Sequence, residues 1–337
     1  MSNPARAIID LGALRSNYEL ACSLAPSSRT LAVIKANAYG HGAVTCARTL
    51  EETVPAFGVC CMEEAMELRE AGIRKPILLL RASFSADELD AAAEHGLWLS
   101  AYEEAHVEAL AGRPGHEPLT AWLKIDTGMH RLGIRPELVN AMIQRLLDSG
   151  KVRPPIVLAT HFAAADDPAN SFTDEQIDRF RTATRDAGMP VSMANSAGLV
   201  AWPGSRAEWN RPGIMLYGAS PLSTPHEVED RLRPVMQLES RVIALRRIEA
   251  GETVGYTRNW RATQPSVIAT VAIGYADGYP RHAPNGTPVL VNGHRARLAG
   301  RVSMDMISVD VTDIPETRLG DPVVLWGRGL PVNEVAA

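Results

Sequence analysis

The stretch TLAVIKANAYGHG, residues 30–42, decides how the rest of the sequence is interpreted. It begins with a short apolar run typical of a buried strand, which ends in Lys35 and is followed by small residues and a Gly-His-Gly turn. Lysine is almost never fully buried without a partner, so an amine at the end of an apolar strand indicates a structural ion pair or a reactive group. Strand-like runs that end in polar residues recur along the chain.

Eight apolar runs of strand length occur before residue 219, and segments with helical periodicity separate them. The runs are Thr30–Ala36, Ala56–Cys61, Pro76–Arg81, Leu97–Tyr102, Thr120–Asp126, Ile156–Phe162, Val191–Ser196 and Ile214–Gly218. The helix-like segments include Met62–Gly72, Ala86–His95, Pro136–Leu147 and Thr173–Ala187. Because parallel strands need crossover helices between them, this alternation predicts an α/β fold, a (β/α)8 TIM-type barrel.

The character of the sequence changes after Arg231. Short β-rich pieces follow, separated by Gly, Pro, Asn and Asp; they are Gln237–Leu245, Ser266–Ile273, Pro288–Val291, Met304–Val311 and Pro322–Trp326. We therefore predict two domains, a barrel over residues 1–230 and a smaller, mostly-β domain over residues 231–337, with Ser220–Leu232 as the linker. The chain length of 337 residues agrees with two domains, because single domains usually have roughly 50 to 250 residues.

Composition narrows the class of protein. The chain has 34 basic and 39 acidic residues, a net charge of −5 and no basic block. We therefore expect it to bind neither nucleic acid nor a membrane surface. It shows no signal-like N-terminal stretch and no run of roughly 18 apolar residues, which predicts a cytoplasmic protein. Its four cysteines, Cys22, Cys46, Cys60 and Cys61, lack CxxC or metal-ligand spacing and are expected to be reduced thiols.

Polar residues concentrate where the predicted barrel strands end. They are Lys35, Tyr39, Lys124, Asp126, Arg131, His161, Asn195, Ser196 and Arg211. Barrel enzymes build their sites from the carboxyl ends of their strands, so these side chains are predicted to share one site.

Ordinary structural roles are open alternatives for these residues. Lys35 could form an ion pair, and His161 could be a hydrogen-bonded core imidazole. Lys124 and Arg131 could pair with Asp126 and with Glu side chains. Ser196 could cap a helix. Tyr39, Tyr217 and Met304 could simply pack in the interior.

Several strings together resemble the alanine racemase family over almost the whole chain. In the barrel they are residues 32–42 (AVIKANAYGHG), 123–133 (LKIDTGMHRLG), 160–163 (THFA), 194–197 (ANSA) and 211–218 (RPGIMLYG). In the second domain they are residues 255–256 (GY), 274–279 (GYADGY) and 300–305 (GRVSMD). The first string is shared with single-domain barrels that bind pyridoxal 5′-phosphate (PLP). The second-domain strings therefore distinguish the alanine racemase family from those barrels.

The resemblance implies PLP as cofactor and a two-base racemisation of alanine. Lys35 is matched to the lysine that forms a Schiff base with PLP and then acts as one base. Tyr256 is matched to the second base, which in this family reaches the partner subunit's barrel in a homodimer. Tyr275 and Met304 are matched to residues of the partner that narrow the substrate side of the pocket.

Further roles follow from the same resemblance. Arg211 is matched to the arginine that faces the pyridine nitrogen, with His161 orienting it. The phosphate is expected at the ends of strands seven and eight, near Tyr39, Asn195, Ser196, Gly213 and Ile214. Arg131 is matched to a residue that contacts the phenolic oxygen of PLP and the substrate carboxylate, and Lys124 to a lysine that is carbamylated in some members.

The resemblance therefore implies racemisation of alanine, either to supply D-alanine for peptidoglycan or in alanine catabolism. A broad-specificity racemase and a non-catalytic PLP-binding protein are the alternatives, and Tyr256 argues against the second. A PLP decarboxylase is disfavoured because Arg211 stands where such enzymes place a carboxylate. No metal site is expected, since the His and Asp residues near His161 have no recognised ligand spacing.

Overall fold

A ring of short parallel strands forms the first compact unit of the computed structural model, which describes residues 4–336. Seven strands pair in sequential order: Ala32–Val33, Phe57–Val59, Ile77–Leu79, Leu97–Ala101, Thr120–Lys124, Val157–Ala159 and Val191–Ser192. The strand Trp209–Asn210 pairs in parallel with Arg29–Thr30, which directly precedes the first strand. The Arg211 N–H donates to the Ala194 carbonyl at 2.9 Å and thereby links this strand to the seventh. The predicted (β/α)8 barrel is confirmed.

Helices connect these strands and surround the barrel. They are Leu11–Leu24, Ala43–Leu50, Met62–Glu70, Ala86–Glu94, Glu104–Gly112, Val139–Asp148, Phe172–Thr184 and Ser196–Ala201, with short 3-10 turns at Pro136–Leu138, Pro203–Ser205 and Glu229–Arg231. The buried residues Leu31, Val33, Leu78, Trp122, Val157 and Trp209 fill the barrel interior.

The predicted eighth strand, Ile214–Gly218, is wrong. Ile214–Tyr217 is a 3-10 helix that ends at Gly218 with φ of 85°, and the eighth strand is the earlier segment Trp209–Asn210. An apolar run of this length is compatible with either a buried strand or a buried helical turn, and its periodicity does not distinguish them.

The second compact unit is an antiparallel β structure. Its strands are Arg6–Ile9, Met236–Ile248, Thr253–Val254, Trp260–Arg261, Ser266–Val271, Pro288–Val291, His294–Leu298, Ile307–Asp310 and Pro322–Trp326, followed by the short helix Val332–Ala336. The long strand Met236–Ile248 pairs with both Ser266–Val271 and Pro322–Trp326, which closes six strands into a ring. Its core includes Val242, Val271, Val289, Val309 and Val323.

The predicted domain boundary differs from the structure at the N-terminal end. Arg6–Ile9 pairs with Met236–Ile248, Ile8 lying opposite Gln237, so the described residues before Leu11 group with the β unit and not with the barrel. The barrel unit is Leu11–Arg233 and the β unit resumes at Pro234. The strand predicted at Met304–Val311 begins at Ile307, which leaves Met304 in a loop. Within residues 4–336, no helix combines the length and apolarity needed to cross a membrane.

Candidate active site

A cavity of about 600 Å³ in the barrel unit is lined by residues that follow the carboxyl ends of the strands. It brings together every residue of the barrel that the sequence analysis assigned to the cofactor or to modification. They are Lys35, Tyr39, Lys124, Arg131, His161, Asn195, Ser196, Arg211, Gly213 and Ile214. Its volume is in the range of pockets that enclose a small-molecule ligand.

The backbone that follows Lys35 has an unusual conformation. Ala36, Asn37, Ala38 and Tyr39 all have φ between 52° and 54°, which makes one left-handed helical turn. This conformation costs roughly 1–2 kcal/mol per residue for amino acids with a side chain, so other contacts must hold it. One is the Asn37 side-chain oxygen, which accepts from the Ala43 N–H at 2.7 Å.

Glu64 is a second support that the sequence analysis missed. From the first turn of helix Met62–Glu70, its carboxylate accepts from the Ala36 N–H at 2.8 Å and the Cys60 N–H at 2.6 Å. It therefore holds together the ends of the first two barrel strands, directly beside Lys35. Acidic residues are common in the first turn of a helix because they interact favourably with the helix dipole. The sequence around Glu64 therefore gave no sign that it supports the site.

Cationic side chains dominate the lining of the cavity. The lining includes the cationic side chains of Lys35, Arg81, Lys124, Arg131 and Arg211 and a single carboxylate, that of Asp166. Burial, together with the positive charges of Arg211 and Arg131, lowers the pKa of Lys124 to about 8. Burial also lowers the pKa of Arg211, to about 10, which leaves its guanidinium charged at neutral pH.

The guanidinium of Arg211 is held by oxygen atoms of neighbouring strands. Nη2 donates to the Thr160 carbonyl at 2.6 Å, and Nη1 donates to the Ser192 carbonyl at 2.9 Å and also contacts Ser192 Oγ. The orienting bond expected from His161 stays a prediction. Burial and the charges of Arg211 and Lys124 lower the pKa of His161 to about 3, so its imidazole is neutral at physiological pH.

Ser196, Gly213 and Tyr39 form one corner of the cavity. Ser196 Oγ accepts from the Gly213 N–H at 2.8 Å and the Met215 N–H at 3.3 Å. The helix cap here is Asn195, whose side chain accepts from the Gly198 N–H, so the alternative role of Ser196 as the N-cap is wrong. A Cβ atom on Gly213 would lie 2.4 Å from Tyr39 Oη, so this approach requires glycine.

Asp126 shapes the loop that carries Arg131. Its Oδ1 accepts from the N–H groups of Gly128 at 2.9 Å and His130 at 3.1 Å, and its Oδ2 lies 3.1 Å from His130 Nδ1. Among the ion pairs of residues 4–336, none includes Lys124 or Arg131, so neither cation pairs with Asp126 or with a Glu side chain. An Asp-x-Gly sequence after a strand is the signal that could have indicated this turn.

The remaining predicted site residues lie in the β unit. Tyr256, Tyr275 and Met304 are 70%, 38% and 54% exposed. The N–H groups of Tyr275 and Ala276 donate to the carbonyls of Ser303 and Met304, which places two of the three loops side by side. In the part of the chain that the structure describes, no cluster of three or more His, Cys, Asp or Glu side chains could hold a metal ion.

The fold and the cavity define the class: a two-domain barrel protein with a lysine at a strand end and a cationic site suited to an anionic ligand. Residues 9–221 match the family described as alanine racemase, N-terminal domain, and residues 235–337 match alanine racemase, C-terminal domain. The chain belongs to the alanine racemase family.

Individual relatives agree with this assignment. The chain is 52% identical to an alanine racemase from Pseudomonas taetrolens over 99% of its own length and 93% of the relative, and equally similar to a catabolic alanine racemase from Pseudomonas putida. It superposes on the biosynthetic alanine racemase of Pseudomonas aeruginosa with a TM-score of 0.95 at 46% identity, covering 99% and 93% of the two chains. An alanine racemase from Bartonella henselae with covalently bound pyridoxal phosphate gives 0.88 at 30% identity, with the same coverage.

Proposed function

We propose that this protein interconverts L- and D-alanine with PLP bound through Lys35. The observation that carries the proposal is the convergence of Lys35, Arg211, Arg131 and Ser196 on one cationic cavity at the strand ends. Family membership supplies the reaction. The relatives include both a catabolic and a biosynthetic enzyme, so either cellular role agrees with the similarity.

The cavity fits PLP in size and in charge. Its lining contains five cationic side chains and one carboxylate, so the excess positive charge suits the binding of a phosphate and a substrate carboxylate. Ser196 Oγ accepts from the N–H groups of Gly213 and Met215, which leaves its own hydroxyl proton to donate to a phosphate oxygen. Gly213 lets Tyr39 Oη lie close by at the same corner. The Lys35 amine is the group in this lining that would bond covalently to the PLP aldehyde carbon.

When bound, PLP withdraws electrons from the α-carbon of the amino acid and thereby acidifies its α-proton. The residues then have to move one proton. Lys35 would remove it from, or return it to, one face of the α-carbon, and Tyr256 would do the same at the other face. In each direction one residue takes a proton while the other gives one, so the charge of the pair is balanced over a turnover.

Arg211 would keep a fixed positive charge against the ring nitrogen of the cofactor. Its pKa of about 10 and its hydrogen bonds to the Thr160 and Ser192 carbonyls support this role, because a charged, anchored guanidinium cannot readily donate a proton to that nitrogen. His161, neutral because of its burial and the positive charges of its neighbours, would complete the polar wall on this side without adding charge. Both features favour return of the proton to the α-carbon over side reactions.

We infer that the working unit is a homodimer in which the β unit of one copy completes the cavity of the other. The support is the exposure of Tyr256, Met304 and Tyr275, large side chains that a monomer would leave in water, together with the family resemblance. We also propose a cytoplasmic location.

We further propose that Lys124 is carbamylated. Its pKa of about 8 leaves part of the amine neutral and therefore reactive toward CO2.

Exchange in deuterated water tests the reaction. We expect L-alanine to yield D-alanine with deuterium at the α-carbon, and Lys35→Ala to abolish both changes. Borohydride reduction should fix the cofactor on the peptide that contains Lys35. Cofactor bound without α-exchange would instead indicate a PLP-binding protein, and equal rates with other L-amino acids would indicate a broad-specificity racemase.

A further inference from the structure

We propose that Gln176 is a positioning residue that sets Arg211 and His161 in place from outside the cavity. This inference rests on the proposed function, because it assigns Gln176 an effect on the cofactor held by these residues. Gln176 lies in the helix Phe172–Thr184, has 0% of its surface exposed and was not predicted to take part in the site.

The amide of Gln176 is engaged at both ends. Nε2 donates to the Thr127 hydroxyl at 3.0 Å and to the His161 carbonyl at 3.1 Å, while Oε1 accepts from the Ala163 N–H at 2.8 Å. The His161 carbonyl can only accept and the Ala163 N–H can only donate, so the orientation of the amide is fixed. These three hydrogen bonds need a side chain with two donors and one acceptor, and glutamine supplies them.

A short chain of hydrogen bonds leads from this amide to Arg211. Thr127 Oγ1 and Thr160 Oγ1 are 2.8 Å apart, and the Thr160 carbonyl accepts from Arg211 Nη2 at 2.6 Å. Thr127, Thr160 and Arg211 are all buried, so water does not readily replace these bonds. Gln176 thus bonds directly to the two peptide groups that follow His161, one on each side of Phe162. Through Thr127 it also reaches Thr160, whose carbonyl anchors the guanidinium.

The same helix holds the loop after the fifth strand at a second point. Arg179 Nη1 donates to the Thr127 carbonyl at 3.1 Å. Gly128 packs so closely that a Cβ atom there would lie 2.8 Å from the Phe172 ring and 2.9 Å from Arg179 Nη1. Because the loop is already attached to the helix, loss of the Gln176 amide should displace the strand ends locally and leave the barrel folded.

Two substitutions separate positioning from simple support. Gln176→Glu preserves shape but places a carboxylate oxygen against the His161 carbonyl, whereas Gln176→Met removes all three bonds. The control is Gln144→Glu, an exposed glutamine in helix Val139–Asp148 that bonds only Asp148. For each holoenzyme the visible absorption band of bound PLP, kcat and KM for both enantiomers would be measured against pH.

We expect Gln176→Glu to shift the absorption band and lower kcat by roughly 10-fold or more, with KM nearly unchanged, because small displacements of positioning groups reduce the rate and not the affinity. The deficit of Gln176→Glu should shrink as the pH falls, since a protonated carboxyl regains an O–H donor, while that of Gln176→Met stays constant. The control should match the wild type in both readouts.

Folded Gln176 variants with the wild-type band and kcat within about 2-fold would overturn the proposal. If neither variant yields folded protein, Thr160→Val decides: a shifted band supports the chain of bonds, and an unchanged band refutes it. A wild-type protein that binds PLP but does not racemise alanine would overturn the proposed function alone, because the comparison of absorption bands can still be made.

Discussion

Nη2 of Arg211 donates a 2.6 Å hydrogen bond to the carbonyl oxygen of Thr160, the residue that precedes His161. Nη1 of the same guanidinium donates to the Ser192 carbonyl at 2.9 Å. Arg211 therefore joins the ends of the sixth and seventh barrel strands while it lines the cavity. A cation fixed in this way can act on a bound cofactor without moving during the reaction.

The charge of Arg211 should control which products are formed from alanine. Arg211→Gln should lower the rate of racemisation by roughly 10-fold or more, because the fixed positive charge is lost. It should also raise the fraction of alanine that transfers its amino group to the cofactor and leaves as pyruvate, because the ring nitrogen could then take up a proton. Arg211→Lys keeps a positive charge, so its ratio of pyruvate to racemised alanine should stay closer to that of the wild type. Chiral chromatography of alanine and a coupled assay for pyruvate measure the two products. An unchanged ratio of pyruvate to racemised alanine in Arg211→Gln would refute the assigned role.

Mixing two inactive variants tests whether active sites are shared between subunits. Lys35→Ala and Tyr256→Phe should each lose racemase activity, since each lacks one of the two proton carriers. If Tyr256 completes the partner's cavity, a mixed dimer contains one site with both residues intact, and activity should return when the variants are refolded together. Were both residues to act within one chain, every site in the mixture would lack one of them and no activity would return. Light scattering establishes the oligomeric state in parallel.

Lys124 is predicted to react with CO2. Below its pKa of about 8 the amine is mostly protonated, and above it the neutral form can add CO2 with loss of one proton. In buffer with ¹³C-bicarbonate, the wild type should therefore show a carbamate carbon signal that strengthens as the pH rises through that value. The signal should be missing from Lys124→Ala and retained in Lys75→Ala, a lysine at the opposite end of the strands. A signal that survives Lys124→Ala would assign the carbamate to another amine.

His161 should make folding stability depend on pH. Its folded pKa of about 3 lies below the ordinary value of 6.5, so between these values the unfolded chain binds a proton that the folded chain does not. Stability therefore falls as the pH drops below 6.5, by about 2 kcal/mol between roughly pH 8 and roughly pH 5 from this residue. Urea unfolding at saturating PLP should show a flatter pH dependence for His161→Asn. Equal slopes for the two proteins would contradict a neutral, shielded imidazole.

The sequence predicted the barrel because its strands and helices have different periodicities, and it predicted the barrel part of the site because polar residues stand at strand ends. It did not predict the support behind that site. Glu64 and Gln176 occupy helical positions where acidic and amide side chains are common, and only the packing of those helices against the strand ends shows what they bind. Their hydrogen bonds join residues that local patterns do not relate.

By itself the sequence determined the family, through its motifs, and the fold class. It also indicated ten of the residues that line the cavity, since strand ends are set by local patterns of apolar and polar residues. Tertiary structure alone decided that Arg6–Ile9 joins the β unit, that Trp209–Asn210 and not Ile214–Gly218 is the eighth strand, and that the residues after Lys35 form a left-handed turn. Each of these depends on contacts between distant segments. The energy of such contacts outweighs local preference, which disfavours that turn in residues such as Ala36 and Ala38.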